Sequence, residues 1–380
     1  MTASAKQGGG LRREAAAPGR AAGEVGRETG GLPTVSVIVP VLNEEGHIER
    51  CLASIEAQTY PAIIEILVAD GGSTDRTLTM ATAHPLVRVL RNPSRIQAAG
   101  LNAGLAIAAG DVVVRVDGHC VLASDYVSRC VDALQATGAA MVGGSMVPQA
   151  GGGWIARSVA QAMASPLGAG PARFHVGGPP GWVDTVYLGS YRREVARRAG
   201  GYRVDVGVNE DAELAYRLRG VGGVWFDPAI RASYTPRQSL TGVARQFFRY
   251  GLSRSATVRR HPGSVSARQL APPLLVLGLI SPCRRWVAGA YVIVIGACAL
   301  REVIGKRTAS AAGMFLVLPA MHGPWGAGFL LGISGVVKPP APLRASPARR
   351  VDLTRRRSLE LGGRSGLAIT PREADRPVKG

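Results

Sequence analysis

Short apolar runs alternate with amphipathic segments from residue 35 to about residue 146. The run at 35–40 is almost wholly apolar, which is typical of a strand buried on both faces of a parallel sheet. The pattern predicts strands at 35–40, 64–69, 86–90, 111–116 and 139–146, and helices at 44–57, 74–83, 95–109 and 124–136. Because single helical segments separate the strands, the chain is predicted to be α/β, with a doubly wound, mostly parallel sheet. Ligands of such sheets bind at the carboxyl ends of the strands.

Changes in composition divide the chain into four regions. Residues 1–33 are polar and glycine-rich and predict a disordered leader, whereas 34–262 carry the strand and helix pattern of the domain that holds the candidate site. A helix is predicted at 210–219, a strand at 223–226 and a basic helix at 239–260. Residues 263–337 form an apolar region that we expect to be helical and membrane-associated, and 338–380 form a basic tail predicted to be disordered.

The apolar region contains three stretches, at 270–283, 286–300 and 311–337. The first two are shorter than the roughly 18–20 apolar residues that a membrane-spanning helix needs, and the third contains His322 and Pro324. The arginines between the stretches favour the cytoplasmic side. The region therefore predicts attachment to the cell membrane, with the preceding domain on the cytoplasmic side. The alternative is a second soluble domain with buried helices.

Charge and cysteine content narrow the class of partner. The 380 residues carry a formal net charge of +19, which indicates an anionic membrane surface, a phosphorylated ligand or nucleic acid. Aromatic residues make up only 5% of the chain, and no basic run is interleaved with aromatic residues, so we expect no nucleic-acid partner. The five cysteines are scattered without a C-x-x-C pair, which argues against a zinc site or a disulfide framework.

Polar residues follow two of the predicted strands at their carboxyl ends. Asn43, Glu44 and Glu45 follow the first strand, and the segment 70–75 follows the second. In that segment two glycines allow a ligand to approach the backbone closely. The carboxylate of Asp70 can accept hydrogen bonds from a base or a ribose. An ordinary turn is the alternative for this loop.

Asp117 and His119 follow the strand at 111–116 and are the candidate metal ligands. A carboxylate and an imidazole two positions apart at a strand end can bind one divalent cation from the same side. Mg²⁺ or Mn²⁺, with phosphate oxygens completing the shell, suits these donors. A turn with a partly exposed histidine is the alternative.

Two further segments carry candidate chemistry. Glu210 and Asp211 open a predicted helix, where acids ordinarily interact with the helix dipole, but a carboxylate beside a reacting hydroxyl can also act as a general base. The segment 189–193 follows a strand-like run at 183–188, and its Arg192 is a candidate for the acceptor side; a helix start with solvated arginines is the alternative. Trp182 and Asp184 are candidates for contacts with a sugar, and a core tryptophan is the alternative for the former.

Five ordered motifs resemble family 2 of the inverting glycosyltransferases, which have an A-type nucleotide-sugar fold. The motifs are V-S-V-I-V-P-x-x-N-E, A-D-G-G-S-T-D, R-x-D-G-H, N-E-D-x-E-x-x-x-R-L and Q-F-F-R-Y, within residues 34–255. The chain is most similar to the succinoglycan-biosynthesis type, in which D-x-H replaces D-x-D and apolar segments follow. The H-G-P-W-G-x-G-F run beginning at His322 looks like the membrane-region signature of that type.

The resemblance implies a role for each matching position on the donor side. It implies that Pro40, Asn43 and Glu44 border the nucleotide, and that Asp70 holds the uracil or its ribose. It further implies that Arg95 and Asp117 close the nucleotide pocket. Asp117 and His119 would hold Mg²⁺ or Mn²⁺ on the diphosphate.

On the acceptor side, the resemblance makes Asp211 the general base, supported by Glu210. Gln246, Arg249 and Tyr250 match a Q-x-x-R-W motif that grips a growing chain, with tyrosine in place of tryptophan. The implied activity is inverting transfer from a nucleotide-sugar, specifically a UDP-sugar, to a lipid-linked or polysaccharide acceptor in cell-surface glycan synthesis.

Two other functions remain open from sequence. A nucleotidyltransferase shares an α/β sheet and acidic metal ligands, but its glycine-rich basic loop would stand where Asn43, Glu44 and Glu45 follow the first strand. A non-enzymatic, membrane-tethered basic scaffold explains the net charge but not the acids at successive strand ends.

Overall fold

The computed structural model describes residues 31–149, 152–306 and 309–338. Residues 1–30 of the predicted leader and all but the first residue of the predicted tail lie outside the described residues.

The strands are Val35–Val41 (β1), Ile63–Asp70 (β2), Val87–Arg91 (β3), Val112–Arg115 (β4), Cys120–Leu122 (β5), Met141–Pro148 (β6), Gly181–Trp182 (β7), Tyr187–Arg192 (β8) and Val224–Tyr234 (β9). The helices are Ile48–Glu56 (α1), Thr77–Ala81 (α2), Gln97–Ile107 (α3), Tyr126–Thr137 (α4), Trp154–Met163 (α5), Arg173–Val176 (α6), Arg193–Arg198 (α7), Glu210–Leu218 (α8), Leu240–Arg260 (α9), Ala271–Ile280 (α10), Arg284–Lys306 (α11) and Met314–Ile333 (α12).

The strands form a single mixed sheet in the order β3-β2-β1-β4-β8-β6-β9-β5, with β7 paired to β9. Strands β1 to β4 are parallel, as the alternating pattern predicts. Strand β8 lies between β4 and β6 and runs antiparallel to both, while β6 and β9 are parallel. The parallel prediction therefore holds for one half of the sheet, and the other half mixes both directions.

Both faces of the sheet are covered, which explains the unbroken apolar run of β1. Val37 and Val39 point into a layer that contains Ile48 and Leu52 of α1. Ile38 points to the opposite layer, which contains helices α3 and α8. Because successive strand residues face opposite sides, a strand buried on both faces must be apolar at nearly every position. This doubly covered sheet orients the carboxyl ends of β1, β2 and β4 toward one edge.

The apolar region is helical, as predicted, but one of its helices is longer than the apolar stretch that predicts it. Helix α11 continues past the apolar stretch at 286–300 and ends at Lys306, so it is longer than that stretch suggests. Helix α12 runs without interruption through Pro319 and Pro324. Two helices, Arg284–Gly305 and Ser310–Ile333, are thus long and apolar enough to cross a membrane by length and composition.

Helices α9 and α12 approach each other closely through small residues. A Cβ atom added at Gly251 would overlap the carbonyl oxygen of Trp325, and one added at Gly328 would overlap the carbonyl oxygen of Phe248. A Cβ at Gly332 would overlap the hydroxyl of Ser255. Small residues spaced in this way allow two helix backbones to pack in direct contact. The apolar region is therefore fixed to α9 by backbone proximity.

Gly328→Ala should destabilise the protein because the new methyl group meets backbone that cannot move aside. Overpacking of this kind costs about 1–3 kcal/mol of unfolding free energy. Gly323→Ala in the same helix is the matched control, since a Cβ there meets no atom within 4 Å. Denaturant titration of the detergent-solubilised protein measures the unfolding free energy of both variants. Equal stability of the two variants would contradict the close α9–α12 contact.

Candidate active site

The loops that follow β1 and β2 are tied to each other by reciprocal hydrogen bonds. The backbone N–H of Asn43 donates to the Ser73 hydroxyl (2.9 Å), and the Asn43 side-chain oxygen accepts from the backbone N–H of Thr74 (2.8 Å). The backbone N–H of Glu45 donates to the Asp75 carboxylate (3.1 Å). Asn43 adopts a positive φ of 56°, a conformation that asparagine tolerates better than most residues. The side-chain oxygen of Asn43 thus serves to hold the two loops together.

Asp70 stabilises the turn after β2. Its buried carboxylate accepts hydrogen bonds from the backbone N–H groups of Gly72 and Ser73, both at 3.0 Å, and from the Ser73 hydroxyl at 2.6 Å. The backbone N–H of Ser73 also lies 3.2 Å from the second carboxylate oxygen, so both oxygens of Asp70 help to hold the turn. The turn and the Asn43 loop together form one wall of the edge at which β1 and β2 end.

A buried arginine joins the acids of two distant segments. The Nε atom of Arg115 lies 3.1 Å from Asp117 Oδ1, and its Nη2 atom lies 3.0 Å from Glu210 Oε1. Its Nη1 atom is 4.0 Å from Asp211 Oδ2. Burial lowers the pKa of Arg115, but the charges of Asp117, Glu210 and Asp211 outweigh burial and hold this pKa well above its ordinary value. Arg115 therefore positions the end of β4 against the start of α8.

Glu210 and Asp211 have different environments although they are adjacent. Glu210 is buried, and burial raises the pKa of its carboxyl group while Arg115 acts in the opposite direction. Asp211 is partly exposed, and its Oδ1 atom accepts from the backbone N–H of Ala212 (2.7 Å). Asn209 precedes them with a φ of 69°, which turns the chain sharply into α8. As a result Asp211, rather than Glu210, is the carboxylate available to a ligand.

The donor atoms of Asp117, His119 and Cys120 lie within 4.8 Å of one another. Asp117 Oδ1 accepts from Gln97 Nε2 (2.8 Å) as well as from Arg115, and among the described residues nothing donates to Asp117 Oδ2. His119 Nδ1 lies 3.3 Å from Glu44 Oε1. An oxygen without a donor and an imidazole within reach suit a divalent cation of the Mg²⁺ or Mn²⁺ type.

Cys120 does not suit such a cation. The thiol is buried and lies 2.8 Å from the Tyr187 hydroxyl. Burial, together with the charge of Asp117, raises its pKa well above the ordinary value, so the thiol stays protonated and is a poor ligand. For His119, burial lowers the pKa, but the hydrogen bond to Glu44 and the charges of Asp117 and Glu44 outweigh it and raise the pKa. The same acidic surroundings that favour a proton on His119 also favour a bound cation.

The remaining donor-side candidates lie at the same edge of the sheet. Pro40 is buried near the end of β1, where it pairs with Ala69 of β2. Glu44 follows β1 and reaches His119, as described above. Arg95 is exposed in the loop between β3 and α3, with a φ of 58°.

Helix α9 brings Gln246 and Tyr250 toward the acids. Gln246 Nε2 donates to the Tyr250 hydroxyl (2.7 Å). Packing raises the pKa of Tyr250, the hydrogen bond from Gln246 lowers it, and the negative charges of Asp211 and Asp117 raise it further. The charges of both carboxylates thus act on the Tyr250 hydroxyl. Arg249, on the same helix, is exposed.

Arg192 is wrongly predicted to lie on the acceptor side. It ends β8 and pairs with Val112, the first residue of β4, whereas the candidate site lies beyond the last residue of β4. Its guanidinium donates to the carbonyl oxygen of Leu134 (3.0 Å). Because β8 runs antiparallel to β4, its C-terminal end is at the opposite edge of the sheet. Arg192 therefore binds the end of α4 and not a ligand of the site.

Trp182 and Asp184 also lie away from the acids. Trp182 pairs with Trp225, the second residue of β9. Trp225 in turn pairs with Val142 near the start of β6, at the edge of the sheet opposite the acids. Asp184 forms an ion pair with Arg219. Neither residue joins the Arg115 cluster.

Two contributors to the site have no role assigned from sequence, although Arg115 begins the R-x-D-G-H motif. Arg115 is enclosed by valines in β4, and Gln97 begins α3 at a position without a distinctive pattern. A charged residue inside an apolar strand is itself a signal, since a buried arginine requires acidic partners.

Comparisons with known proteins identify the family of this chain. The family model described as Glycosyl transferase family 2 matches residues 36–200. Succinoglycan biosynthesis protein ExoA of Rhizobium meliloti is 32% identical over 307 residues, which cover 77% of this chain and 93% of ExoA. Glycosyltransferase AglE of Haloferax volcanii is 36% identical over 124 residues, which cover 31% of this chain and 41% of AglE.

A solved structure shares the fold. The mannosyltransferase PcManGT from Pyrobaculum calidifontis, in complex with GDP-Man and Mn²⁺, aligns with a TM-score of 0.52 at 22% sequence identity. The alignment covers 79% of this chain and 87% of PcManGT. At this level of identity the likeness shows a common fold.

Proposed function

Because this chain belongs to glycosyl transferase family 2, we propose that it moves a sugar from a nucleotide-sugar, specifically a UDP-sugar, to a lipid-linked or polysaccharide acceptor, with inversion at the anomeric carbon. The observation that carries the proposal is that Arg115 contacts both Asp117, at the end of β4, and the acids that begin α8. A donor-side carboxylate and an acceptor-side carboxylate are thereby held in one cluster. Membership of the family decides against a nucleotidyltransferase and against a non-enzymatic scaffold.

On the donor side, we assign the nucleotide to the wall formed by the loops after β1 and β2. We assign Asp70, which also holds the turn after β2, to an N–H or O–H donor of the nucleoside, and Arg95 supplies positive charge at the mouth of the pocket. Asp117 and His119 would hold Mg²⁺ or Mn²⁺, which would supply positive charge to offset that of the departing diphosphate. The Mn²⁺ and GDP-Man in the related mannosyltransferase support this assignment.

On the acceptor side, Asp211 accepts the proton of the attacking hydroxyl. Its partial exposure allows contact with an acceptor, whereas the buried Glu210 pairs with Arg115 and positions the start of α8. Tyr250 and Gln246 border the acceptor from α9. A single displacement from the face opposite the leaving diphosphate inverts the anomeric carbon.

We further propose that the apolar region attaches the protein to the cell membrane, with the catalytic domain (34–262) on the cytoplasmic side. Two helices of sufficient length and apolarity support attachment. Arginines beside these helices support the cytoplasmic side, because cationic flanks remain there preferentially.

The donor proposal is tested by screening membranes that contain the protein with UDP-, GDP- and TDP-sugars in the presence of Mn²⁺. We expect release of UDP that depends on an added acceptor extract. Release of pyrophosphate rather than a nucleoside diphosphate would contradict glycosyl transfer.

His119→Ala should weaken metal dependence. Loss of one of two protein ligands is expected to raise the Mn²⁺ concentration for half-maximal activity at least about 10–100-fold, the range seen when only an outer-shell partner is lost. Cys120→Ala is the matched control, because its protonated thiol is not expected to bind the cation. Metal titrations of UDP release compare the two. A larger shift for Cys120→Ala than for His119→Ala would contradict the assigned ligands.

A further inference from the structure

Helix α12 contacts the catalytic domain along its whole length. Just before its start, a Cβ at Gly313 would overlap the hydroxyl of Ser158 in α5. In its middle, His322 Nε2 lies 2.7 Å from the carbonyl oxygen of Leu167. Near its end, Gly328 lies against the backbone of Phe248 in α9. One side of α12 is therefore held against the catalytic domain at its beginning, its middle and its end.

The elements that contact α12 cannot enter a bilayer without burying charge. Helix α5 carries the exposed Arg157, and helix α9 carries the exposed Arg249 and Arg259. If α12 crossed the membrane, these helices would lie at the same depth. Placing arginine at the centre of a bilayer costs at least about 2.5–3.5 kcal/mol per residue. Although α12 is long enough to cross, its neighbours argue that it does not.

Helix α11 lies beside α12 and runs in the opposite direction. The Tyr291 hydroxyl lies 2.9 Å from His322 Nδ1, whereas Gly296, further along α11, is near Phe315 at the beginning of α12. Ile295 and Ala299 are buried in the core that also contains residues of α5 and α12. One side of α11 is therefore covered by the protein over its C-terminal half.

The opposite side of α11 is apolar and exposed. Trp286, Ile293 and Leu300 recur every seven residues, which places them on one face of the helix, and they are 84%, 72% and 59% exposed. Leu274 and Ile280 extend this face onto α10. We call these five residues the apolar face. Exposed apolar side chains in this number mark a membrane or protein contact.

The positive charges at both ends of α11 indicate that a lipid leaflet covers the apolar face. Arg284 and Arg285 stand at its start and Arg301 near its end, all exposed. With α11 lying along one leaflet, the arginines at both of its ends can contact the anionic headgroups of that leaflet. A helix that crosses would instead place one of these cationic ends on the far side of the membrane.

We propose that α10 and α11 lie within one leaflet, parallel to the membrane plane, and that α12 joins them to α9 without crossing the bilayer. The inference rests on the membrane attachment proposed above. Because α9 carries Gln246 and Tyr250 at one side and packs on α12 at another, this arrangement fixes the active site at a constant height above the lipid headgroups. A lipid-linked acceptor then presents its hydroxyl at a defined depth.

Spin labels on the apolar face test the orientation of α11. Trp286→Cys, Ile293→Cys and Leu300→Cys are made singly in full-length protein that carries Cys283→Ser and Cys298→Ala; the other three cysteines are buried. The labelled proteins are reconstituted in vesicles of phosphatidylglycerol and phosphatidylcholine, and collision with oxygen and with a nickel chelate gives the depth of each label. A label at the exposed Gln135→Cys on α4 is the aqueous control.

An in-plane α11 gives three equal, shallow depths, about 5–10 Å below the headgroups. A crossing α11 gives successive labels that differ in depth by about 10 Å, since seven residues rise about 1.5 Å each; that result overturns the in-plane orientation but leaves attachment intact. Three labels without lipid contact would overturn membrane attachment itself, as when a second copy of the chain covers the apolar face. UDP release from the same vesicles reports separately whether transfer persists.

Discussion

Asp211→Asn is expected to lower sugar transfer by about 10²–10⁴-fold, the usual contribution of a positioned general base. Asparagine keeps the size of the side chain and the oxygen that accepts from the Ala212 N–H, so helix α8 should start normally. It cannot take a proton from the acceptor hydroxyl. Donor affinity should remain within about threefold of the parent protein, because Asp211 is assigned to the acceptor. Initial rates at saturating donor, with UDP binding measured by calorimetry, separate the two effects.

Asp132→Asn is the matched control for this experiment, since Asp132 is an exposed carboxylate on α4, away from the Arg115 cluster. It should retain the parent rate. Persistence of transfer in Asp211→Asn, with unchanged dependence on acceptor concentration, would remove Asp211 from the base role.

Arg115→Met is expected to abolish activity and to lower the free energy of unfolding by about 3–5 kcal/mol, the cost of leaving a buried acid without its partner. Methionine keeps an unbranched side chain as far as the Nε position of arginine, and so keeps the apolar contacts of the stem. Asp117 and Glu210 both lose their ion pair with Arg115, and Glu210 has no solvent to replace it. Denaturant unfolding and UDP release measure the two losses.

The double variant Arg115→Met, Glu210→Gln separates stability from catalysis. Removing the uncompensated acid should restore most of the lost unfolding free energy, because a neutral pair costs less to bury than a single charge. Activity should stay low, since Asp117 and Asp211 remain without the arginine that holds them together. Recovery of activity along with stability would mean that Arg115 serves the fold alone.

The pH dependence of Arg115→Met follows from Glu210. Burial already raises the pKa of this carboxyl group, and loss of Arg115 removes the effect that opposes burial. An acid whose pKa is higher in the folded than in the unfolded state binds its proton preferentially when folded, so stability falls as pH rises between the two pKa values. Arg115→Met should therefore be less destabilised at pH 5 than at pH 8. The reverse trend would show that Glu210 is not the group left uncompensated.

The parallel half of the sheet could be predicted from sequence because its signals are local. Each of β1, β2 and β4 is a compact apolar run followed by acids or glycines, and a strand buried on both faces has few other compositions available. The same holds for α8, whose acids in the first turn, Glu210 and Asp211, mark where the helix begins. The motifs at these strand ends already define most of the candidate site.

Strand β8 shows where local signals are insufficient. Gly189 and Ser190 occupy its centre, and they fit because Met141 of β6 leaves no room for a larger side chain at Gly189. That contact is between distant parts of the chain, so the sequence predicts only a strand-like run. The error over Arg192 has the same origin, since the direction of β8 decides at which edge of the sheet its last residue lies.

Arg115 and the apolar region illustrate the same limit in other ways. Arg115 ends the apolar strand β4, and its role depends on Glu210, which lies 95 positions further along the chain. In the apolar region, length and composition identify helices that are able to cross a membrane, but glycine contacts with α9 determine what α12 packs against. Pairings of this kind depend on the folded backbone rather than on periodicity.

The anomeric configuration of the transferred sugar tests the central claim most directly, because a single displacement by an Asp211-activated hydroxyl has one stereochemical outcome. The product formed from an α-linked UDP-sugar is analysed by proton NMR, using the coupling constant of the anomeric hydrogen. The site described here predicts a β-linked product. An α-linked product would contradict the single displacement and, with it, the role of Asp211.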